Sequence, residues 1–132
     1  MVRIDATYDG NLRCTATHEP SGKQLITDAP VDNMGKGESF SPTDLLATSM
    51  LTCIMTIVAI RADSKEIDVK GMSGSIEKTM ASGPRRVAKL EVVVNLPPGL
   101  DIEDRAWLIT EGCNCPVCVS VSESMEVDVT FQ

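Results

Sequence analysis

Residues 2–8 alternate, with Val2, Ile4, Ala6 and Tyr8 on one side and Arg3, Asp5 and Thr7 on the other, the period of a half-buried strand. Asp9-Gly10-Asn11 is a turn signal, and Leu12, Cys14 and Ala16 then alternate with Arg13, Thr15 and Thr17, which predicts a hairpin. Pro20-Ser21-Gly22 turns again, and a third strand is expected over 23–28. Between Ala29 and Ser39, the residues Pro30, Asp32, Asn33, Gly35 and Gly37 disfavour regular structure. Ser41-Pro42-Thr43-Asp44 then opens a helix, with Ser41 as N-cap, Pro42 at the first helical position and Asp44 completing a capping box. That helix is expected to reach about Ala62, a length of roughly 30 Å. Its interior carries no charge and no polar stripe wide enough for water, so burial on most sides is expected. A chain of 132 residues has difficulty surrounding such a helix alone, which points to a partner subunit for part of the cover.

Residues 67–80 form a weaker strand pattern interrupted by Gly71 and Gly74. After the turn at 81–84, Ala88, Leu90, Val92, Val94 and Leu96 alternate as a strand until Pro97-Pro98-Gly99 breaks it. Asp101, with Asp104 three residues on, caps a second helix that runs to about Glu111. A cysteine-rich corner spans 113–118, where Pro116 opens a short third helix. Met125, Val127, Val129 and Phe131 then alternate with Glu126, Asp128 and Thr130, a closing strand. The order β-β-β-α-β-β-α-(α)-β describes an α+β sandwich with antiparallel sheets, built as a single domain over 1–132.

Charge and composition narrow the possibilities. Twelve Lys and Arg against nineteen Asp and Glu give a net charge of −7, which lacks the basic footprint that neutralises phosphates. The four aromatics Tyr8, Phe40, Trp107 and Phe131 cannot build a base-stacking platform, so no nucleic-acid partner is expected. The N-terminus carries charges at once and shows no apolar signal region. The longest uncharged run, Leu45–Ile60, falls short of the roughly 18 residues of a membrane span. A soluble cytoplasmic protein without a membrane partner is therefore expected. Five cysteines are an odd number, which argues against a closed disulfide framework. In a reducing cytoplasm they are free, metal-bound or redox-active.

Cys14 shares a face with Leu12 and Ala16 and reads as core filling. Cys53 lies in the apolar helix about three turns from its start, beyond the reach of the dipole, and spacing alone favours core filling over a redox nucleophile. Ser49 and Thr56 share its face, but hydroxyls in apolar helices commonly bond back to their own backbone. Cys113, Cys115 and Cys118 invite a zinc reading, yet a structural site wants four ligands and the lone His18 is far away, so no metal and no other cofactor is expected. A redox role fits better. Cys115 precedes Pro116 and falls near a helix N-cap, where unpaired N–H groups favour a thiolate, and it forms a Cys-x-x-Cys with Cys118. A thioredoxin-like fold is not expected, because no βαβ unit precedes the motif. His18 reads as structural, and Arg85-Arg86 as a solvated pair that is also a candidate cation for the thiols.

The segment Gly37-Glu38-Ser39-Phe40-Ser41-Pro42-Thr43-Asp44-Leu45-Leu46-Ala47, followed by Cys53 in an apolar helix, resembles the OsmC/Ohr family of osmotically inducible and organic hydroperoxide resistance proteins. Cys115-Pro116-Val117 ahead of the last strand resembles the second half of that family's signature, and the element order matches along nearly the whole chain. The resemblance implies an OsmC-like two-layer sandwich around a long buried central helix, assembled as an intertwined homodimer. It implies a thiol-dependent peroxidase for organic hydroperoxides, with Cys53 as peroxidatic and Cys115 as resolving cysteine, recycled by a dithiol such as a dihydrolipoyl group. Some members carry a glutamate just after the helix-start proline, paired with an activating arginine. Here Thr43 stands at that position with Asp44 beside it, and no arginine lies between Arg13 and Arg61. Arg13, Arg85 and Arg86 are the candidate substitutes, and Cys113 and Cys118 are alternative resolving thiols. A buried thiol without a cation beside it stays protonated, which leaves a non-catalytic dimeric protein binding a small apolar ligand as the competing reading. A metal or thiol sensor built on Cys113, Cys115 and Cys118 is a third.

Overall fold

The three N-terminal alternations form the strands they predict, β1 (Ile4–Gly10), β2 (Arg13–His18) and β3 (Gln24–Asp28), in an antiparallel sheet of order β1-β2-β3. The structure is a computed structural model that describes residues 1–132. It divides into two compact units, Met1–Leu46 and Ala47–Gln132.

In the first unit, the register sets Tyr8 opposite Cys14 and Ala6 opposite Ala16, which in turn faces Leu25. Opposed residues share a face, so Ile4, Ala6, Tyr8, Cys14, Ala16 and Leu25 line one side of the sheet. Within one chain this side is open: Ile4, Tyr8 and Leu25 are exposed, and so is β1 along nearly its whole length. The expected half-burial of β1 is thus not met within the chain. Its alternation is real, but nothing in the unit covers it. The loop over 29–39 contains one 3-10 turn, Val31–Asn33, and is otherwise irregular, as the prolines and glycines require.

Helix α1 (Pro42–Ser64) starts at the predicted capping box. The Asp44 N–H donates to Ser41 Oγ at 3.0 Å, and the Ser41 N–H donates to Asp44 Oδ2 at 2.9 Å. The helix ends at Ser64, two residues past the expected stop. It is long and apolar enough, by length and composition, to cross a membrane. One stripe, Ala47, Met50, Ile54, Val58 and Ala62, is fully buried in the protein, while Thr52, Thr56 and Ile60 are exposed. Burial is therefore one-sided within the chain rather than all-round.

In the second unit, β4 (Ser73–Ala81) pairs antiparallel with β5 (Arg86–Asn95), and β6 (Glu126–Phe131) pairs parallel with β5. The first pairing and the first sheet match the antiparallel expectation. The parallel β6 differs from it, because β5 reaches β6 through α2 (Ile102–Cys113) and α3 (Pro116–Val121), a crossover long enough to bring the chain back in the same direction. β5 is the central strand and buries Val87, Leu90, Val92 and Val94. Val58, Ala62, Val69, Leu96 and Leu108 form the core beyond it, with Trp107 and Phe131 packed on its margin.

Two glycines let these layers meet. A Cβ on Gly74 of β4 would stand 2.9 Å from Leu51 Cδ1 and 2.8 Å from the Val93 carbonyl oxygen. A Cβ on Gly112 of α2 would stand 2.8 Å from Val58 Cγ2 and 2.9 Å from Phe131 Cζ. Gly112→Ala is therefore expected to destabilise the fold by about 1–3 kcal/mol through overpacking. Urea unfolding measures this, and a midpoint equal to that of the parent protein would show that α2 is free to shift away from α1.

Candidate active site

Three of the five cysteines converge in the second unit. Cys53 sits on the middle of α1, next to the buried positions Met50 and Ile54 but itself half-buried. Cys115 is the N-cap of α3, wholly buried, and its sulfur accepts the Cys118 N–H at 3.3 Å. Cys53 lies within electrostatic reach of the Cys115 thiol. Cys118, half-buried one helical turn on, lies within electrostatic reach of both Cys115 and Cys53. Cys113 is exposed at the end of α2 and feels Cys118. All of these thiols are free.

The physical chemistry separates them. Burial pushes the Cys115 thiol up to about 11, with the neighbouring Cys53 thiol adding to the rise and the Cys118 N–H only partly opposing it. The expected N-cap donation is present, but desolvation outweighs it, so Cys115 is a protonated thiol at neutral pH. Burial likewise raises Cys118, against a lowering hydrogen bond from Cys115. Local desolvation, followed by the charge of Cys118, raises Cys113. Thr56 bonds back to the Thr52 carbonyl at 2.7 Å, as hydroxyls in an apolar helix are expected to do.

The other candidates lie elsewhere. In the first unit, Arg13 stands directly across from Asp28 in the β2–β3 register. Its guanidinium donates to Glu38 and lies 3.5 Å from Asp28 Oδ2. Asp28 is wholly buried and accepts the Glu38 N–H at 3.0 Å. That backbone bond, and then Arg13, hold its carboxyl below the ordinary range against the cost of burial. Asp28 Oδ1 and Arg13 Nε, both buried, have no hydrogen-bond partner. The sequence reading named Arg13 but missed Asp28 and Glu38. The available signal was Glu38 inside the Gly37–Pro42 segment, and the strand register supplied the rest. Thr43 and Asp44 belong to the α1 cap, where Thr43 Oγ1 meets Ser41 Oγ at 3.1 Å. Arg86 reaches the Pro84 carbonyl at 3.4 Å, and Arg85 flanks the same turn. His18 is bound to Ser21 Oγ at 2.7 Å, a local structural contact. No group of three or more His, Cys, Asp or Glu residues is arranged to hold a metal ion.

The α+β fold sets Cys53 on its long helix and Cys115 at the Cys-Pro cap of α3. The family model for OsmC-like protein matches residues 35–130, and the chain belongs to that family. A Psychrobacter arcticus protein, provisionally described as an osmotic stress induced and detoxification response protein, is 41% identical. That match covers 100% of this chain and 96% of the other, with a TM-score of 0.94. An organic hydroperoxide resistance protein from Elizabethkingia anophelis, with thiocyanate bound, shares the fold at 18% identity, 100% and 95% coverage and a TM-score of 0.80. An OsmC organic hydroperoxide resistance protein from Legionella pneumophila does so at 15% identity, 100% and 96% coverage and a TM-score of 0.81. No curated protein matches the sequence.

The buried thiol should be slow to alkylate. With its pKa at about 11, Cys115 is expected to react with iodoacetamide more slowly than Cys113 at pH 7, and its rate should rise about tenfold per pH unit up to pH 9 as thiolate forms. Peptide-resolved mass spectrometry reads this, and a pH-independent Cys115 rate would contradict the burial argument.

Proposed function

We propose that the chain is a thiol-dependent peroxidase for organic hydroperoxides, with Cys53 as the attacking and Cys115 as the resolving cysteine. The observation that carries this reading is a half-buried Cys53 on α1 within electrostatic reach of the wholly buried Cys115 at the α3 N-cap. The Cys53 thiolate attacks the terminal peroxide oxygen. The O–O bond breaks, the alkoxide takes a proton and leaves as alcohol, and Cys53 becomes a sulfenic acid. Cys115 condenses with it, forming a disulfide and releasing water. A dithiol of the dihydrolipoyl class then reduces the protein by exchange. Cys115 suits the second role better than the first, since its raised pKa keeps it protonated until an electrophilic sulfur is beside it. The apolar residues Met50, Ile54 and Ile57 around Cys53 on α1 favour an organic peroxide over hydrogen peroxide. We read the whole chain as one OsmC-like domain working in the reducing cytoplasm.

The same reading includes a homodimer. The exposed apolar side of the first sheet supports it, where an open hollow of 150 Å³ is lined by Ile4, Ala16, His18, Lys23, Gln24 and Leu25. Leu51, Met55 and Ile57 of α1 are also only partly covered within the chain. Light scattering on the purified protein should give twice the chain mass, and Ile4→Asp should shift it toward one chain mass. A variant that stays fully dimeric would remove this face from the interface.

A non-catalytic binding protein is favoured by one observation, the commitment of Arg13 to Asp28 and Glu38. Hydroperoxide consumption decides between the two. With a dithiol donor, the reduced protein should consume cumene hydroperoxide, and Cys53→Ser should lose at least about 100-fold of the rate, the scale of a lost nucleophile. Full turnover in Cys53→Ser would reject Cys53, and no turnover in the parent protein would favour the binding reading.

A further inference from the structure

A two-cysteine peroxidase cycle leaves one of the three converging thiols unused. The Cys115 sulfur is the centre of the group: it accepts the Cys118 backbone N–H at 3.3 Å and lies within electrostatic reach of Cys53. Cys115 and Cys118 are the N-cap and third residue of α3, one turn apart. Residues three apart on a helix have Cα atoms about 5 Å apart, within the 4.4–6.8 Å range that a disulfide spans. Exposure also grades along this group. Cys115 is wholly buried, Cys118 is half-buried, and Cys113 beside it is exposed. A reductant has no access to the Cys115 sulfur, whereas Cys118 is partly open to solvent.

We propose that Cys118 is a third catalytic thiol, which takes the disulfide over from Cys53 and so returns Cys53 to its reactive state within the same cycle. The inference rests on the peroxidase reading given above. In the step, the Cys118 thiolate attacks the Cys115 sulfur of the Cys53–Cys115 disulfide. The Cys115–Cys118 bond forms, the Cys53–Cys115 bond breaks, and Cys53 leaves as thiolate. The proton lost from Cys118 goes to solvent, and no net oxidation occurs, so no further reactant is required. The external dithiol then reduces the Cys115–Cys118 pair by attack at Cys118. Cys113 is the weaker candidate, because its interactions reach Cys118 and not Cys115.

Disulfide mapping tests this on the full-length protein. Reduced protein is treated with one equivalent of cumene hydroperoxide, alkylated in acid and digested. The expected product has Cys115 bonded to Cys118 and Cys53 recovered alkylated. Cys118→Ser should instead hold the Cys53–Cys115 disulfide. A product in which Cys53 stays bonded, or in which Cys115 or Cys118 is recovered free, overturns the relay. A second arm replaces the peroxide with glutathione disulfide and should reach the same Cys115–Cys118 product. If that arm gives Cys115–Cys118 while hydroperoxide leaves all three thiols reduced, the peroxidase reading fails and the exchange preference stands. If hydroperoxide oxidises Cys53 and both arms end at Cys53–Cys115, the peroxidase reading stands and the relay fails.

Discussion

Burial of one stripe of α1 is the constraint on which the second unit depends. Ala47, Met50, Ile54, Val58 and Ala62 recur every three or four residues and are all removed from water. At about 25 cal/mol per Å² of apolar surface, such a stripe outweighs any local propensity. It requires Gly112 on α2, where a Cβ would meet Val58 and Ile54, while Gly74 on β4 answers to the Val93 carbonyl and to Leu51 beside the stripe. It also sets where Cys53 lies. One residue away from the buried stripe, its thiol is partly covered and turned toward Cys115 rather than sealed in the core.

Desolvation then decides the chemistry of the thiol group. A helix start supplies an N–H to Cys115, which by itself lowers a thiol's pKa, yet burial of the same sulfur reverses the sign. The result is a division of labour among identical side chains. The buried Cys115 is held protonated, while Cys53 and Cys118 beside it are only half-buried. In the first unit the opposite balance holds. Asp28 is as buried as Cys115, but a backbone N–H and a guanidinium keep it ionised.

Much of the fold is legible in local pattern. The capping box at Ser41 and Asp44 and the break at Pro97–Gly99 act within a few residues and appear where expected, whereas the strand expected over 67–80 forms only from Ser73, beyond the Gly71 interruption. The parallel pairing of β6 was not legible, because strand direction depends on the length and path of the α2–α3 crossover and not on the alternation of β6 itself. β1 shows the limit of alternation in another way. Period two tells which residues share a face but not whether anything in the same chain covers that face.

The site divides along the same line. The sequence by itself determined the cysteines and their motifs, and the resemblance of the 37–47 segment and of Cys115-Pro116-Val117 pointed to the family. Only the tertiary structure decided that Cys115 is the wholly buried one of three neighbouring thiols and that Asp28 and Glu38 take up Arg13. Each of these depends on segments distant in sequence. The pKa of a thiol and the partner of a guanidinium are set by what surrounds them in space, and sequence spacing within one element does not contain that.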